Sequence, residues 1–74
     1  MMLFTSPSCQ PCKRIKPLVL EAFPNTEVVD ITAAGSLKKM NQHDVYAVPT
    51  LITESGVGYI GEAIVSNFLK ENAR

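Results

Sequence analysis

Two cysteines, Cys9 and Cys12, are separated only by Gln10 and Pro11. A disulfide between them would close a loop of four residues. In the chain-entropy estimate such a bridge stabilises a fold by roughly 2 kcal/mol, against about 4.7 kcal/mol for a loop of a hundred residues. Because the pair is poorly placed as a structural cross-link, its spacing is better explained by redox chemistry.

The sequence around the pair favours a reactive thiolate at Cys9. A turn-rich stretch, Thr5–Ser8, comes directly before it, and a helical pattern begins at about Gln10. The first N–H groups of a helix have no intrahelical partner and carry a partial positive charge, which favours a thiolate over a thiol. Basic residues in the first turns add positive charge nearby: Lys13, Arg14 and Lys16.

Cys12 lies three residues further along the chain, at a position that faces the predicted core. We therefore expect Cys9 to attack a substrate disulfide and Cys12 to attack the resulting mixed disulfide, which releases the reduced product. A C-x-x-C pair can also be half of a zinc site, but structural zinc usually takes four N or S ligands. The chain offers two thiols and one histidine, His43. A metal site would need two chains sharing one ion, and this alternative stays open.

Length and composition bound the class of protein. The 74 residues allow one domain, assigned to 1–74, and a hydrophobic content of 46% without low-complexity stretches argues against disorder. Seven basic and seven acidic residues give a net charge of zero, which argues against a nucleic-acid-binding module. We expect this small domain to act as a monomer.

Hydropathy bears on location. No apolar run approaches the ~20 residues that a membrane-spanning helix requires. The opening Met1–Phe4 is too short and too uncharged for a signal peptide. These features predict a cytoplasmic protein without a membrane partner, in a compartment where thiols are mostly reduced.

Hydrophobic periodicity predicts seven elements in the order β-α-β-α-β-β-α. The predicted strands are Met2–Phe4, Glu27–Ile31, Pro49–Thr53 and Val57–Ile60. The predicted helices are 10–23, about 37–43, and a segment after Gly61. The helix between the first two strands implies a parallel pair with a right-handed crossover, and the turn at Ser55-Gly56 implies an antiparallel pair. The prediction is an α/β domain with a mixed four-stranded sheet and three helices on its faces.

The same periodicity predicts which side chains are buried. Apolar residues share one face of the first helix: Cys12, Ile15, Val19 and Phe23. Pro17 falls inside this pattern and is expected to kink or split the helix. Leu37 and Met40 are expected to face inward from the second helix. Tyr46 and Tyr59 are expected to be half-buried residues of the sheet.

Residues Cys9–Lys13 read Cys-Gln-Pro-Cys-Lys, a motif that is similar to the thioredoxin signature Cys-Gly-Pro-Cys-Lys. Through this motif the chain resembles the thioredoxin superfamily, and specifically a minimal thioredoxin. Pro17 matches the proline that the family places in its helix five residues after the second cysteine. This motif alone points to redox activity on a βαβ unit.

A second motif strengthens the resemblance. Residues Val45–Leu51 read Val-Tyr-Ala-Val-Pro-Thr-Leu, which is similar to the family's Gly-Ile-Pro-Thr segment, whose proline is cis and faces the active cysteines. Gly61 matches a family glycine near the substrate groove. The resemblance covers nearly the whole chain but does not include the extra N-terminal strand and helix of full-length thioredoxins.

The resemblance implies a thioredoxin-like fold and dithiol–disulfide oxidoreductase activity, with Cys9 as the nucleophile and Cys12 as the resolving thiol. It also implies that Pro49 is cis and holds Val48 where its backbone can pair with an extended substrate segment. The substrate-binding residues that it implies are Gln10, Pro11, Val48, Pro49 and Gly61. No bound cofactor is implied. Electrons would come from a thioredoxin-reductase-like enzyme or glutathione and pass to disulfide-containing proteins.

The sequence also departs from the family pattern. Ser8 stands where thioredoxins carry a tryptophan, and Leu3 stands where they bury an aspartate that helps to move the proton of the second cysteine. A glutaredoxin-like electron donor to ribonucleotide reductase is the closest alternative, suggested weakly by the segment Val28–Ile31. Glutaredoxins typically show Gly-Gly and then an acidic residue after the hairpin, whereas residues Gly61–Ile64 read Gly-Glu-Ala-Ile. A non-catalytic interaction subunit is a further alternative.

Overall fold

Four strands and three helices follow one another in the predicted order β-α-β-α-β-β-α. The structure is a computed structural model and describes residues 1–72, so the last two residues of the predicted domain 1–74 lie outside the described range. The strands are β1 (Met2–Thr5), β2 (Glu27–Asp30), β3 (Thr50–Ile52) and β4 (Gly58–Ile60). The helices are α1 (Gln10–Ala22), α2 (Ser36–Gln42) and α3 (Glu62–Asn72). None of these helices is long and apolar enough to cross a membrane.

The sheet is mixed, as predicted, with the strand order β2-β1-β3-β4. β1 runs parallel to β2 and antiparallel to β3, and β3 runs antiparallel to β4. Phe4, Thr50 and Ile60 stand side by side across three strands. At this end of the sheet β1 leads toward Cys9, β3 begins, and β4 leads into Gly61. We call it the cysteine end; the opposite end, where 53–57 connects β3 to β4, is the hairpin end.

Each face of the sheet carries its own apolar cluster, because successive side chains of a strand point to opposite faces. The first cluster joins the sheet to α1 and α3; its buried residues are Leu3, Ile15, Val19, Leu51, Val65 and Leu69. The second lies on the other face; its buried residues are Phe4, Val29, Val45 and Ile52. The neighbours Leu3 and Phe4 are both fully buried, one in each cluster. The two clusters fix β1 from both faces, and with it the start of the loop to Cys9.

Helix α1 places the cysteines on this framework. Its buried residues Cys12, Ile15 and Val19 follow the predicted helical spacing. The helix runs unbroken past Pro17, so the proline does not split it. Phe23 caps its C-terminus by donating its backbone N–H to the carbonyl oxygen of Val19 at 2.7 Å. The inward face of α1 therefore extends from Cys12 to the end of the helix.

Two predictions of burial are wrong. Leu37 is 67% exposed, because α2 turns Ser36 and Met40, four residues apart, toward the protein instead. The buried hydroxyl of Ser36 donates to the carbonyl oxygen of Asp30 at 2.6 Å, which fixes that face. Tyr46 is 80% exposed, because it lies in the segment between α2 and β3 and not in a strand.

Candidate functional site

Cys9 and Cys12 form a disulfide at the N-terminus of α1. Their Cα atoms are 5.2 Å apart. Cys9 is the N-cap of the helix, and its Sγ accepts a hydrogen bond from the backbone N–H of Cys12 at 3.2 Å. Pro11 lies in the first turn, where its missing N–H leaves no hydrogen bond unmade. The predicted helix N-terminus therefore directs a backbone donor at the sulfur of Cys9.

The two sulfurs differ in their access to solvent. Cys12 is 2% exposed, whereas Cys9 is only half-buried. Between them Gln10 is exposed and Pro11 half-buried. A substrate disulfide can therefore approach Cys9, while Cys12 is shielded. This asymmetry is the one expected of a nucleophile and a resolving thiol.

Pro49 and Gly61 meet at the cysteine end of the sheet. The Val48–Pro49 peptide bond is cis, as the resemblance implies. Pro49 is buried, and its carbonyl oxygen accepts the backbone N–H of Gly61 at 2.8 Å. Gly61 has a φ of +93°, and the space that a Cβ would enter there holds no atom within 4 Å. Two of the predicted substrate-binding residues are thus in direct contact beside open space.

Val48 presents an unpaired backbone. Its half-buried side chain packs against the second cluster, the one that contains Phe4. Within residues 1–72 neither its N–H nor its carbonyl oxygen takes part in a hydrogen bond. Such groups can pair with an extended chain laid beside them. The backbone of Val48 is therefore available for pairing with a second chain.

An ion pair connects α1 to the first residue of α3. Arg14 donates from Nε and from a terminal nitrogen to the two carboxylate oxygens of Glu62, at 2.8 and 2.9 Å. The hydrogen bonds from Arg14 hold the pKa of Glu62 below its usual value, and the same bonds raise the pKa of Arg14. The sequence predicted that Arg14 adds positive charge near Cys9, but its charge is matched by Glu62.

Lys13 and Lys16, the other basic residues of α1, line a cavity beside Cys12. This cavity has a volume of about 430 Å³ and is lined by Thr5, Ser6, Pro7, Cys12, Lys13, Lys16, Val28 and Asp30. Asp30 accepts hydrogen bonds from the backbone N–H and the hydroxyl of Thr32, which lower the pKa of its carboxyl. Two cations and one anion therefore surround the approach to Cys12 from this side.

The comparisons with known proteins support the same fold. No protein-family model and no curated protein matches the sequence. Among solved structures the chain is similar to thioredoxin O2 from Arabidopsis thaliana in its oxidized state, with a TM-score of 0.65 and 23% identity. The match covers 99% of this chain and 73% of that one. The chain has a thioredoxin-like fold. The fold and the C-x-x-C disulfide together support, at a general level, a dithiol–disulfide oxidoreductase.

The structure shows the surroundings of Leu3, one of the predicted departures from the family pattern, and of the nearby Asp30. Leu3, where the family buries a carboxylate, is fully buried in the first cluster. In the parallel pairing Leu3 stands beside Val28, and Thr5 beside Asp30, so this sheet face carries a carboxylate only at its cysteine end. Asp30, and not Leu3, lines the cavity that Cys12 also lines.

The single histidine of the chain lies at a helix end. His43 is the C-cap of α2, and its ring lies 6.2 Å from that of Phe4. Among residues 1–72 no three His, Cys, Asp or Glu side chains come together as a metal site would require. The metal-sharing alternative involves two chains and stays a prediction.

Proposed function

We propose that this chain is a thioredoxin-like carrier of electrons that reduces disulfides in other proteins. The observation that carries the proposal is the asymmetry of the disulfide: Cys9 is accessible at the N-cap of α1, and Cys12 is buried one turn further on. In the proposed two-step exchange the substrate reacts with an accessible sulfur, and a second sulfur in the same chain then resolves the mixed disulfide. The difference in exposure between Cys9 and Cys12 supports this division of roles.

The reaction starts from the reduced chain. The thiolate of Cys9 attacks one sulfur of the substrate disulfide, so that the substrate S–S bond breaks and a mixed disulfide forms. The released substrate thiolate takes up a proton. Cys12 then loses its proton and attacks the sulfur of Cys9, which forms the intramolecular disulfide and releases the second substrate thiolate. Two electrons pass from the chain to the substrate. The proton that Cys12 loses balances the proton that the first substrate thiolate takes up, and the second substrate thiolate leaves in place of the Cys9 thiolate that began the reaction.

Substrate recognition is proposed to use the free backbone of Val48. An extended substrate segment would pair its main chain with the N–H and carbonyl oxygen of Val48, as in β-strand addition. Pro49 and Gly61, joined by their 2.8 Å hydrogen bond, border this position. Gln10 and Pro11, which connect the two cysteines, would contact the substrate from the side of the helix.

The chain must be reduced again after each turnover. We propose a thioredoxin-reductase-like enzyme or glutathione as the donor, and the cytoplasm as the location. The reduction potential decides the direction of electron flow, because related dithiol proteins range from about −270 mV for reductants to about −120 mV for oxidants. A value near the lower end, measured by equilibration with glutathione, would support reduction of substrates.

Trapping the mixed disulfide tests the proposal. Reduced Cys12→Ser is incubated with insulin and the products are separated without reductant. We expect a covalent adduct through Cys9, whereas the control Cys9→Ser forms none. The proposal fails if both variants trap equally little substrate and the wild type reduces neither insulin nor a chromogenic disulfide.

A further inference from the structure

Tyr46 is the most exposed large hydrophobic side chain among the described residues, at 80%. Tyr46 precedes Val48 by two residues in the chain. An aromatic side chain that is left almost fully in water gains little from folding, because apolar stabilisation is proportional to the area removed from water. Tyrosine is also enriched in binding interfaces, where its ring and hydroxyl both find partners.

The segment that carries Tyr46 is held in place on both sides. Val45 is 7% exposed, and its N–H donates to the carbonyl oxygen of Met40 at 2.8 Å. The carbonyl oxygen of Ala47 accepts the buried hydroxyl of Thr50 at 2.7 Å. Tyr46 therefore lies between two anchored neighbours. Its backbone position is fixed relative to Val48 before any partner binds, which reduces the entropy cost of docking.

The charges near the backbone of Val48 bear on the kind of substrate segment that can bind there. Arg14 and Glu62 neutralise each other on the side of Gly61. The cations Lys13 and Lys16 line the cavity beside Cys12. Gln10, Pro11, Val48, Pro49 and Gly61 are all uncharged. A substrate segment laid along them meets no unmatched charge from these residues, so an apolar segment fits better than an acidic or basic one.

We propose that Tyr46 is a specificity-determining residue that packs against a large apolar or aromatic side chain next to the cysteine of an extended substrate segment. The inference rests on the proposed function and names the substrate class of that site. Because Tyr46 lies outside the C-x-x-C motif, it acts on the binding of a peptide and not on the exchange of sulfurs. A small disulfide without a peptide chain has no neighbouring side chain to pack against Tyr46 while its sulfur reacts with Cys9.

The test compares two disulfide-linked peptides that differ in one residue beside the cysteine, phenylalanine or serine. Hydroxyethyl disulfide serves as the small substrate. For the wild type we expect kcat/KM to be about tenfold higher for the phenylalanine peptide, a difference of about 1.4 kcal/mol. Tyr46→Ala should remove this preference, and Tyr46→Phe should keep most of it. Activity on hydroxyethyl disulfide should stay unchanged in both variants.

Val57→Ala is the matched control. Val57 is 49% exposed and lies at the hairpin end, so its truncation should leave the preference as it is. The inference is overturned if the wild type does not prefer the phenylalanine peptide, if Tyr46→Ala retains the preference, or if Tyr46→Ala loses activity equally on hydroxyethyl disulfide. A wild type that reduces none of the three disulfides overturns the proposed function, and this inference with it.

Discussion

The two ends of the sheet contain similar backbone features, but the hydrogen bonds that these features make differ between the ends. Each end has a glycine at positive φ, Gly61 at +93° and Gly56 at +89°. Each also has a threonine hydroxyl bonded to a nearby backbone group, Thr50 to Ala47 and Thr53 to Val57. At the hairpin end these devices close a loop on itself, whereas at the cysteine end they hold a segment open.

The hairpin end pairs its loop backbone internally. Thr53 donates its N–H to the carbonyl oxygen of Val57 at 2.9 Å, and its own carbonyl oxygen accepts the N–H of Gly56 at 2.9 Å. The N–H of Val57 in turn donates to the hydroxyl of Thr53 at 3.1 Å. Three hydrogen bonds that involve backbone groups thereby form within a five-residue connection. Nothing in these bonds prepares the loop for a ligand.

At the cysteine end the equivalent groups are committed to holding Val48 and Pro49 in position. Gly61 bonds to Pro49, and Thr50 bonds to Ala47, while the polar backbone of Val48 has no partner within residues 1–72. An unpaired backbone group can bind a second chain that supplies the missing hydrogen bonds. The backbone groups that the fold leaves unpaired therefore mark where this sheet can bind a second chain.

Replacing each of the two glycines with alanine should give the largest difference in activity between variants of the two ends. Gly56→Ala and Gly61→Ala both place a side chain at a φ near +90°, so we expect each to lower the free energy of unfolding by about 1–2 kcal/mol. Only the methyl group at Gly61 enters the open space beside Pro49. Urea denaturation should therefore show similar losses, while kcat/KM for insulin reduction falls about tenfold in Gly61→Ala alone.

The same two alanine variants can contradict the proposed functional difference between the two ends. If Gly56→Ala slows insulin reduction as much as Gly61→Ala does, the two ends do not differ in function and the effect comes from stability. If Gly61→Ala keeps wild-type activity, the space beside Pro49 is not part of the substrate path. Activity on a small chromogenic disulfide separates a blocked path from a damaged C-x-x-C motif.

The two threonines should give a smaller contrast. Thr50 is 1% exposed, so Thr50→Val leaves the carbonyl oxygen of Ala47 without its hydroxyl partner and should cost about 1 kcal/mol of stability. The hydroxyl of Thr53 is in contact with solvent, which can replace it in Thr53→Val. We expect insulin reduction to fall about threefold in Thr50→Val, because the segment before Pro49 loosens, and to stay constant in Thr53→Val.

Equal activities in the two valine variants would show that Val48 is positioned without the Thr50 hydroxyl. Peptide binding measured by calorimetry distinguishes this from a compensating change in the chemical step. A loss in Thr50→Val that appears in affinity, with unchanged reaction of a small disulfide, would sharpen the assignment of the segment to substrate binding.

The elements of the fold and the redox pair could be predicted from local patterns. Helical spacing identifies the buried face at Cys12, Ile15 and Val19, and the spacing of the cysteines identifies the chemistry. The cis bond before Pro49 and the contact of Pro49 with Gly61 have no local signature, and only the resemblance to a family led to them. Those features depend on how β3 and β4 meet, which periodicity does not encode.

Other features escaped prediction because tertiary contacts decide them. The sequence predicts Tyr46 as a residue of the sheet, but the chain places it in the connection before β3. The sequence predicts Leu37 as a core residue, but Ser36 and Met40 occupy the inward face of the seven-residue helix instead. The partner of Arg14 lies 48 residues away in sequence, so no local pattern reveals that its charge is matched.

The exposed ion pairs offer the smallest contrast between the ends. Arg14 and Glu62 lie at the cysteine end, whereas Lys39 and Glu27 pair at the start of β2, near the hairpin end. Hydrogen bonds from Arg14 lower the pKa of Glu62 relative to the unfolded chain. The stabilisation is therefore complete above the ordinary pKa of a glutamate and disappears as the pH falls through the lowered pKa of the folded state.

Glu62→Gln should accordingly reduce stability slightly at neutral pH, and the difference from the wild type should vanish in acid. Thermal unfolding from pH 7 down to about pH 3 measures this, and added salt should shrink the neutral-pH difference, because both side chains are exposed. Glu27→Gln controls for the loss of one surface ion pair, and it should leave insulin reduction unchanged. Since Glu62 directly follows Gly61, its substitution should lower that activity by up to about twofold, as expected for a single exposed pair. A difference between Glu62→Gln and the wild type that grows as the pH falls would contradict the assignment, because a protonated Glu62 no longer pairs with Arg14.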